Sequence, residues 1–267
     1  MTCPQLPVLL YHRIRSGGGA SSNTPGQFLA HMRYLAENGY QTLSGEKFSA
    51  CALGKIALPK KAVLITFDYG YASEYTHAYP VLKNLGMNAI TFLITGKVGE
   101  GEPRHDVLAS ATEIEPYLRW SEIGEMVSSG VFEAHCHSHR HVKWHITYAH
   151  PAEHLRAVEE DITISRQKFK EFIGGIGPRH LAWPWGFSTP DTRAIANNLG
   201  FDFQYTVKND FNTRATPLDH INRLCMDGNS LSMFVARLEF FRKPSLRLIY
   251  PPVLRQYHYW TKRLLKG

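Results

Sequence analysis

Five histidines lie in one short stretch of the chain, "EAHCHSHRHVKWH", and neutral imidazole is a common ligand of zinc. His137 and His141 are four residues apart, so one turn-like or helical segment can direct both at a single ion. His141 and His145 have the same spacing, and the pattern leaves both pairs open. A catalytic zinc site needs a third protein ligand, so we expect a carboxylate from elsewhere in the chain. For His139 and His145 we expect solvated or core-satisfied side chains.

Asp68 is a lone carboxylate at the end of an apolar run, in the stretch "LITFDYGYAS". Two further apolar runs lead into residues that could bind a ligand or take part in a reaction. These are the histidines from His137 onward and the segment "WPWG". The carboxyl ends of parallel strands meet at one face of a sheet or barrel. The three segments are therefore predicted to form one site.

The elements that must position this site follow an alternating pattern. Amphipathic stretches separate most of the apolar runs; one has Phe28, Met32 and Leu35 on a single helical face and stops at Asn38-Gly39. Such alternation predicts an α/β fold with parallel strands and crossover helices. Seven strands can close a barrel or form an open sheet, and periodicity does not separate these outcomes. The seven runs are "PVLLYHRI", "AVLITF", "AITFLI", "VFEAHC", "HLAWPW", "FQYTV" and "INRLCM".

The composition fits one domain and argues against several functional classes. A chain of 267 residues, 43% of them hydrophobic, suits a single large core. It has no apolar run near the ~20 residues that cross a bilayer and no clear leader sequence, so we expect a cytoplasmic protein, or an exported one if a leader has been removed. Its four scattered cysteines fit reduced thiols. The formal charge of +7 favours an anionic partner, but no nucleic-acid-binding motif accompanies it, so no nucleic-acid partner is expected.

Three motifs resemble those of the NodB-homology polysaccharide deacetylases, carbohydrate esterase family four. "TFDYG" resembles the first motif of that family, "TFDDG", and "EAHCHSHRH" resembles the second, a histidine, a Ser or Thr, and a histidine four positions along. "AWPWG" is similar to the third motif in its "WPYG" form, as in enzymes that de-N-acetylate poly-N-acetylglucosamine. The resemblance covers most of residues 7 to 241 and implies a distorted (β/α) barrel of the NodB type, for which we expect seven strands.

The resemblance also implies a chemistry and a set of site residues. Asp68 is expected to be the general base, and His137 and His141 are expected to bind a divalent metal, most often zinc. The backbone N–H of Trp185 is expected to hold the oxyanion, and Trp183, Trp185 and Tyr69 to contact the substrate. The implied reaction removes N-acetyl groups from an N-acetylated amino sugar, in a polysaccharide or a lipid-linked glycan.

The chain departs from the family pattern at Tyr69, where the family has its second aspartate and third metal ligand. A neutral phenol is a poor zinc ligand, so the metal is expected to bind weakly. Four explanations stay open: a deliberate inactivating change, a naturally weakened enzyme, another ligand in its place, or a descendant that only binds glycans. The candidate replacement ligands are His135, His12 and Glu133.

Two more positions of the pattern are altered. The late histidine that serves as a general acid has no clear counterpart, and His220 is a weak candidate. Ala182 stands where many members have an arginine. Arg179 or Arg223 could orient Asp68 instead, although we expect surface salt bridges for both.

Residues 1–252 are predicted to form the barrel, and residues 253–267 a basic amphipathic C-terminal helix. This tail either docks on the barrel or contacts a membrane surface. The leading hypothesis is the metal-dependent deacetylase, impaired by Tyr69. The alternatives are a catalytically silent carbohydrate-binding protein on the same fold and a metal-independent amide hydrolase that uses Asp68 alone. The oligomeric state is not readable from the sequence.

Overall fold

The computed structural model describes residues 6–19, 21–104, 116–175 and 177–242. The strands are β1 (Val8–Tyr11), β2 (Arg13–Ile14), β3 (Ser22–Asn23), β4 (Gln41–Thr42), β5 (Ala62–Tyr69), β6 (Ala89–Leu93), β7 (Phe132–Cys136), β8 (His180–Ala182), β9 (Phe203–Tyr205) and β10 (Leu224–Cys225). The helices are α1 (Pro25–Glu37), α2 (Gly45–Ala52), α3 (Tyr79–Asn84), α4 (Trp120–Ser128), α5 (Trp144–Thr147), α6 (Pro151–Phe172), α7 (Pro190–Asn198) and α8 (Leu231–Arg242). A π-helical turn spans Glu74–Ala78, and a 3-10 turn spans Pro184–Gly186.

Seven parallel strands form a curled sheet in the order β10-β1-β5-β6-β7-β8-β9, and β4 adds to the start of β5. Each of the seven predicted apolar runs contributes one of these strands. Backbone hydrogen bonds of Gln204 and Thr206 join β9 to the segment 218–221, which leads into β10. The seven-stranded α/β barrel-like fold is therefore confirmed, as a curled half-barrel.

The two faces of the sheet have different surroundings because side chains alternate along each strand. On β5, Ile65 and Phe67 face the outer layer and pack in the same core as Phe28 and Met32 of α1. Leu64 faces the concave side, in a second core; its other members include Val8, Ile90, Phe92, Phe203 and Tyr205. Asp68 has the same parity as Leu64, so it lies on the concave side where β5 ends.

Local signals account for the helix boundaries. Thr24 caps α1 in a reciprocal pair with Gln27, and Pro25 occupies its first turn. Thr189 caps α7 in the same manner, with Thr192 as its partner. Both helices therefore begin at a capping residue followed by a proline.

No helix among the described residues is long and apolar enough to span a membrane. The predicted tail at residues 253–267, and with it the proposed membrane contact and the domain boundary, lies outside the described residues.

Candidate active site

Asp68 is held in a buried ion pair with Arg223. The guanidinium donates from Nη1 to Oδ1 at 2.6 Å and from Nη2 to Oδ2 at 2.8 Å, and its Nε donates to the carbonyl of Thr206 at 2.8 Å. Asp68 is 2% exposed and Arg223 is 0% exposed. Burial raises the pKa of Asp68, but the charge of Arg223 and its hydrogen bonds outweigh burial and lower the pKa to about 2. Asp68 is therefore an oriented carboxylate at neutral pH.

Arg223 corrects one sequence expectation. We expected a surface salt bridge, whereas its side chain lies inside the barrel, with Cζ 5.6 Å from the ring centre of Phe92 and 6.0 Å from that of Tyr205. Arg179 does form the expected surface pair, with Asp202. The structure therefore assigns the orientation of Asp68 to Arg223. The carboxylate thus has an arginine partner although Ala182 stands where many family members have theirs.

His137 and His141 come together beside Asp68. His137 donates from Nδ1 to the carbonyl of Ala182 at 2.7 Å, which leaves the lone pair on Nε2, 4.0 Å from Oδ2 of Asp68. The ring centres of the two histidines are 4.9 Å apart, and Nε2 of His141 is buried without a hydrogen-bond partner in the described structure. Burial lowers the pKa of both, that of His141 to about 3. Both imidazoles are thus neutral, the form that binds metals.

The other histidines of the cluster point elsewhere. His139 pairs through Nδ1 with the hydroxyl of Thr95 at 3.0 Å, and exposed His145 packs on Phe187 with ring centres 3.9 Å apart. Both positions agree with the satisfied or solvated side chains that we expected. The structure therefore brings His137 and His141 together beside Asp68, and it places the exposed ring of His145 against Phe187.

Tyr69 lies against the histidine pair. Its ring centre is 5.2 Å from that of His137 and 4.8 Å from that of His141. Burial, then the neighbouring charge of Asp68, raise the pKa of Tyr69 above its usual range, so the phenol is neutral. Its backbone has a φ of 83°, a left-handed conformation that is uncommon outside glycine.

The strained backbone positions gather at this site. Among the described residues, those other than glycine with positive φ are Tyr69, Ser138, His141 and Trp185. Three of the four are predicted site residues, and Ser138 accepts a hydrogen bond from the backbone N–H of His141 at 2.9 Å. Strain of this kind persists only where surrounding structure holds it, and it concentrates at functional sites.

The side chains of this site supply only some of the ligands that a metal ion needs. The neutral Nε2 atoms of His137 and His141 suit a divalent ion, but neither histidine belongs to a group of three His, Cys, Asp or Glu donor atoms within 4.8 Å of one another in the described chain. His135 and Glu133 do not supply the missing ligand, because they pair with each other at 3.3 Å earlier on β7. The third position that a catalytic zinc requires thus has a neutral phenol beside it.

The two tryptophans of the "WPWG" segment have different surroundings. Trp183 is 1% exposed and donates from its indole nitrogen to Gln204 at 2.9 Å, so it serves the core and does not have the free face that sugar stacking requires. Trp185 is 42% exposed and its ring centre is 4.1 Å from that of His141. In the described turn, the N–H groups of Gly186 and Phe187 make the closing hydrogen bonds, and that of Trp185 takes no part.

His12 is a site residue to which the sequence assigned only a possible ligand role. Its Nδ1 donates to Oδ2 of Asp227 at 2.5 Å, its backbone N–H donates to Oδ1 at 3.2 Å, and its ring centre is 5.3 Å from that of Tyr69. Burial lowers the pKa of His12, but Asp227 outweighs burial and raises it overall. His220, the sequence candidate for a general acid, lies among Arg193, Asp219 and Lys208, and no described contact joins it to Asp68. The sequence signal that could have identified His12 is its position just after β1, in "YHRI".

Comparison with known proteins agrees with this geometry. Residues 55–204 match the family described as polysaccharide deacetylase. The poly-beta-1,6-N-acetyl-D-glucosamine N-deacetylase of Escherichia coli K12 is 27% identical over 229 residues, which are 77% of this chain and 34% of that protein. The chain thus spans about a third of the length of that relative.

Two solved structures share the fold. IcaB from Ammonifex degensii has a TM-score of 0.72 and 27% identity, over 88% of this chain and 97% of that one. The Streptococcus pyogenes deacetylase PplD, solved in complex with acetate, has a TM-score of 0.74 and 21% identity over 89% of this chain and 99% of that one. The second likeness concerns the fold alone.

Proposed function

The chain belongs to the polysaccharide deacetylase family, and from this premise we propose that it hydrolyses the acetamide of an N-acetylated amino sugar. The substrate class is a polysaccharide or a lipid-linked glycan, in keeping with the poly-N-acetylglucosamine relative. The observation that carries the proposal is the buried Asp68 carboxylate, fixed by Arg223 and 4.0 Å from Nε2 of His137.

Three groups of the site have separate roles in this reaction. Asp68, kept ionised by Arg223, accepts the proton of the attacking water. The N–H of Trp185 donates to the oxyanion that forms at the acetamide carbon. His12, whose pKa is raised by Asp227 against the effect of burial, donates a proton to the leaving amine. The C–N bond breaks, acetate leaves, and the sugar keeps a free amine.

A divalent ion such as zinc, held by His137 and His141, would polarise the acetamide carbonyl and acidify the water. Tyr69 weakens that site, because a neutral phenol replaces an anionic oxygen ligand. Loss of a negative ligand lowers metal affinity and leaves bound water less acidic. We therefore propose that this chain is a deacetylase impaired at its metal centre.

Acetate release tests the proposal. The unaltered chain, Tyr69→Asp and Tyr69→Phe are each incubated with zinc and oligomers of β-1,6-linked N-acetylglucosamine. Tyr69→Asp should release acetate at least about tenfold faster than the other two, by analogy with losses of 10- to 100-fold at positions that only support metal ligands. Tyr69→Phe keeps the ring without the hydroxyl and should resemble the unaltered chain. Absence of hydrolysis in all three would overturn the proposal.

A row of aromatic side chains favours a second candidate, a carbohydrate-binding protein without catalysis. Tyr69 stacks on Tyr71 with ring centres 5.3 Å apart, Tyr71 stacks on Tyr117 at 5.2 Å, and Arg13 lies over Tyr71 at 4.5 Å. Aromatic faces of this kind bind sugar rings. Under this candidate the unaltered chain binds the oligomers, and Tyr69→Asp gains no hydrolysis.

A further inference from the structure

A second cluster of metal-ligand side chains lies beside the proposed active site. His12 follows β1, and Cys225 ends β10, with Asp227 two residues later. Strands β1 and β10 pair in parallel, with Leu10 opposite Cys225, so the segments that follow them are neighbours. The fold thus brings an imidazole, a thiol and a carboxylate together from opposite ends of the chain.

The donor atoms have the spacing of a metal site. Within the described residues, His12, Cys225 and Asp227 are the one group of three such side chains whose ligand atoms all lie within 4.8 Å of one another. Oδ2 of Asp227 is 2.5 Å from Nδ1 of His12 and 3.6 Å from Sγ of Cys225. Bonds of about 2.0–2.3 Å in a tetrahedral zinc site place ligand atoms roughly 3.3–3.8 Å apart. A small outward shift of the imidazole would meet this geometry.

We propose that His12, Cys225 and Asp227 form a second metal site, for a zinc-like divalent ion, with the fourth position open to water. Thiolate and imidazole ligands favour zinc over magnesium or calcium, which prefer oxygen. The backbone N–H of His12 holds Oδ1 of Asp227 at 3.2 Å, which leaves Oδ2 for the ion. The side chain of His12 is 18% exposed and that of Asp227 is 1% exposed, so solvent reaches the cluster from the side of the imidazole.

The charges of the cluster suit a divalent cation. Thiolate and carboxylate together carry two negative charges, which match the ion. Arg237 lies nearby, where it donates to the carbonyl of Cys225 at 2.7 Å and to Asn209 at 2.7 Å. The thiolate is the form of cysteine that binds metals, so a metal that binds Cys225 displaces the thiol proton to solvent. Affinity should therefore rise with pH.

The second site has no ligand in common with the pair His137 and His141, but it shares His12 with the proposed reaction, and in this respect the inference rests on the proposed function. An ion on Nδ1 would separate His12 from Asp227 and remove the proton donor. Excess zinc should consequently inhibit an active form of the chain.

Cobalt substitution tests the second site without any assay of activity. The variant His137→Ala/His141→Ala, which lacks the first pair of ligands, is titrated with Co²⁺ and followed by its near-ultraviolet absorption. A thiolate ligand gives a sulfur-to-cobalt charge-transfer band that histidine and carboxylate ligands do not give. We expect this band to grow to one ion per chain, both in this variant and in the unaltered protein.

Matched variants identify the thiol. Cys225→Ser in the same background should lose the band, whereas Cys51→Ser, whose thiol lies in a separate region near Ala57, should keep it. Asp227→Asn should weaken cobalt binding at least about tenfold, which tests the site even if Cys225→Ser fails to fold by circular dichroism. Absence of the band, or its persistence in a folded Cys225→Ser variant, would overturn the proposal. The test of acetate release stays separable from this one, because it can be repeated in the Cys225→Ser background, which lacks the second site.

Discussion

Arg223 and Asp68 are 155 positions apart in the chain, yet both guanidinium Nη atoms meet both carboxylate oxygens, at 2.6 and 2.8 Å. The pair is buried, and Arg223 also donates to the carbonyl of Thr206. A bidentate contact fixes both the position and the charge of a carboxylate. This contact places an ionised carboxylate beside His137.

Replacement of Arg223 tests how much its ion pair with Asp68 contributes to the free energy of unfolding. Arg223→Met should lower the free energy of unfolding by about 3–5 kcal/mol, because it leaves a buried charge without its partner. Urea unfolding at neutral pH measures the change. The double variant Asp68→Asn/Arg223→Met has no unpaired charge and should regain most of the loss. A single variant as stable as the unaltered chain would contradict the buried geometry.

Removal of the charge of Asp227 should shift the pH profile of catalysis. In the folded protein Asp227 raises the pKa of His12 despite burial, so the imidazole stays protonated to higher pH. Asp227→Asn in the Tyr69→Asp background should therefore lose activity at lower pH on the alkaline side. The ratio kcat/KM for acetate release, measured against pH, shows the shift. Asp219→Asn, which alters the pair with Arg193, is the control and should leave the profile in place; an unmoved profile for Asp227→Asn would exclude His12 as the proton donor.

Substitutions of Trp185 distinguish the role of its backbone N–H from the role of its ring. Trp185→Asn keeps the N–H and tolerates the left-handed backbone, but it loses the exposed ring. In the Tyr69→Asp background, KM for the oligomer should rise about 3- to 10-fold, since aromatic contacts contribute about 0.5–1.5 kcal/mol, while kcat changes little. Trp185→Phe keeps an aromatic face and should retain a low KM. A large fall in kcat for both variants would contradict this division.

His31 should make the protein sensitive to acid. It accepts from the Tyr11 hydroxyl at 3.2 Å, donates to the carbonyl of Asn229 at 3.1 Å and stacks on Phe234 at 4.2 Å. Burial lowers its pKa from 6.5 to about 4. Between these values the unfolded chain holds a proton that the folded chain does not, so stability falls as pH falls.

The variant His31→Gln isolates this contribution. Between pH 7 and pH 5 it should lose about 2 kcal/mol less stability than the unaltered chain. Urea unfolding at the two pH values measures the difference. Equal losses in both proteins would show that His31 is not buried as a neutral imidazole.

The sequence predicts the parts of the site that depend on short-range patterns. Apolar runs locate the strands; Asp68 lies near the end of β5, and His137 and His141 follow the end of β7 within a few residues. Their convergence follows from a general property of parallel sheets.

Contacts between distant segments are not encoded in such patterns. Arg223 and Asp227 reach Asp68 and His12 only because β10 pairs with β1, and no spacing rule links residues more than 150 positions apart. The burial of Trp183 depends on side-chain alternation after β8, a strand of three residues, and so short a run carries little periodicity.

We propose that Tyr69 deprives the metal centre of its third ligand. The direct measurement is zinc affinity by titration calorimetry after chelator treatment, with Tyr69 and with Tyr69→Asp, both in a Cys225→Ser background that removes the second site. We predict that the aspartate form binds one zinc at least about tenfold more tightly, and that His141→Ala abolishes the gain. Equal affinity of the tyrosine and aspartate forms would contradict the account, because another residue would then complete the shell.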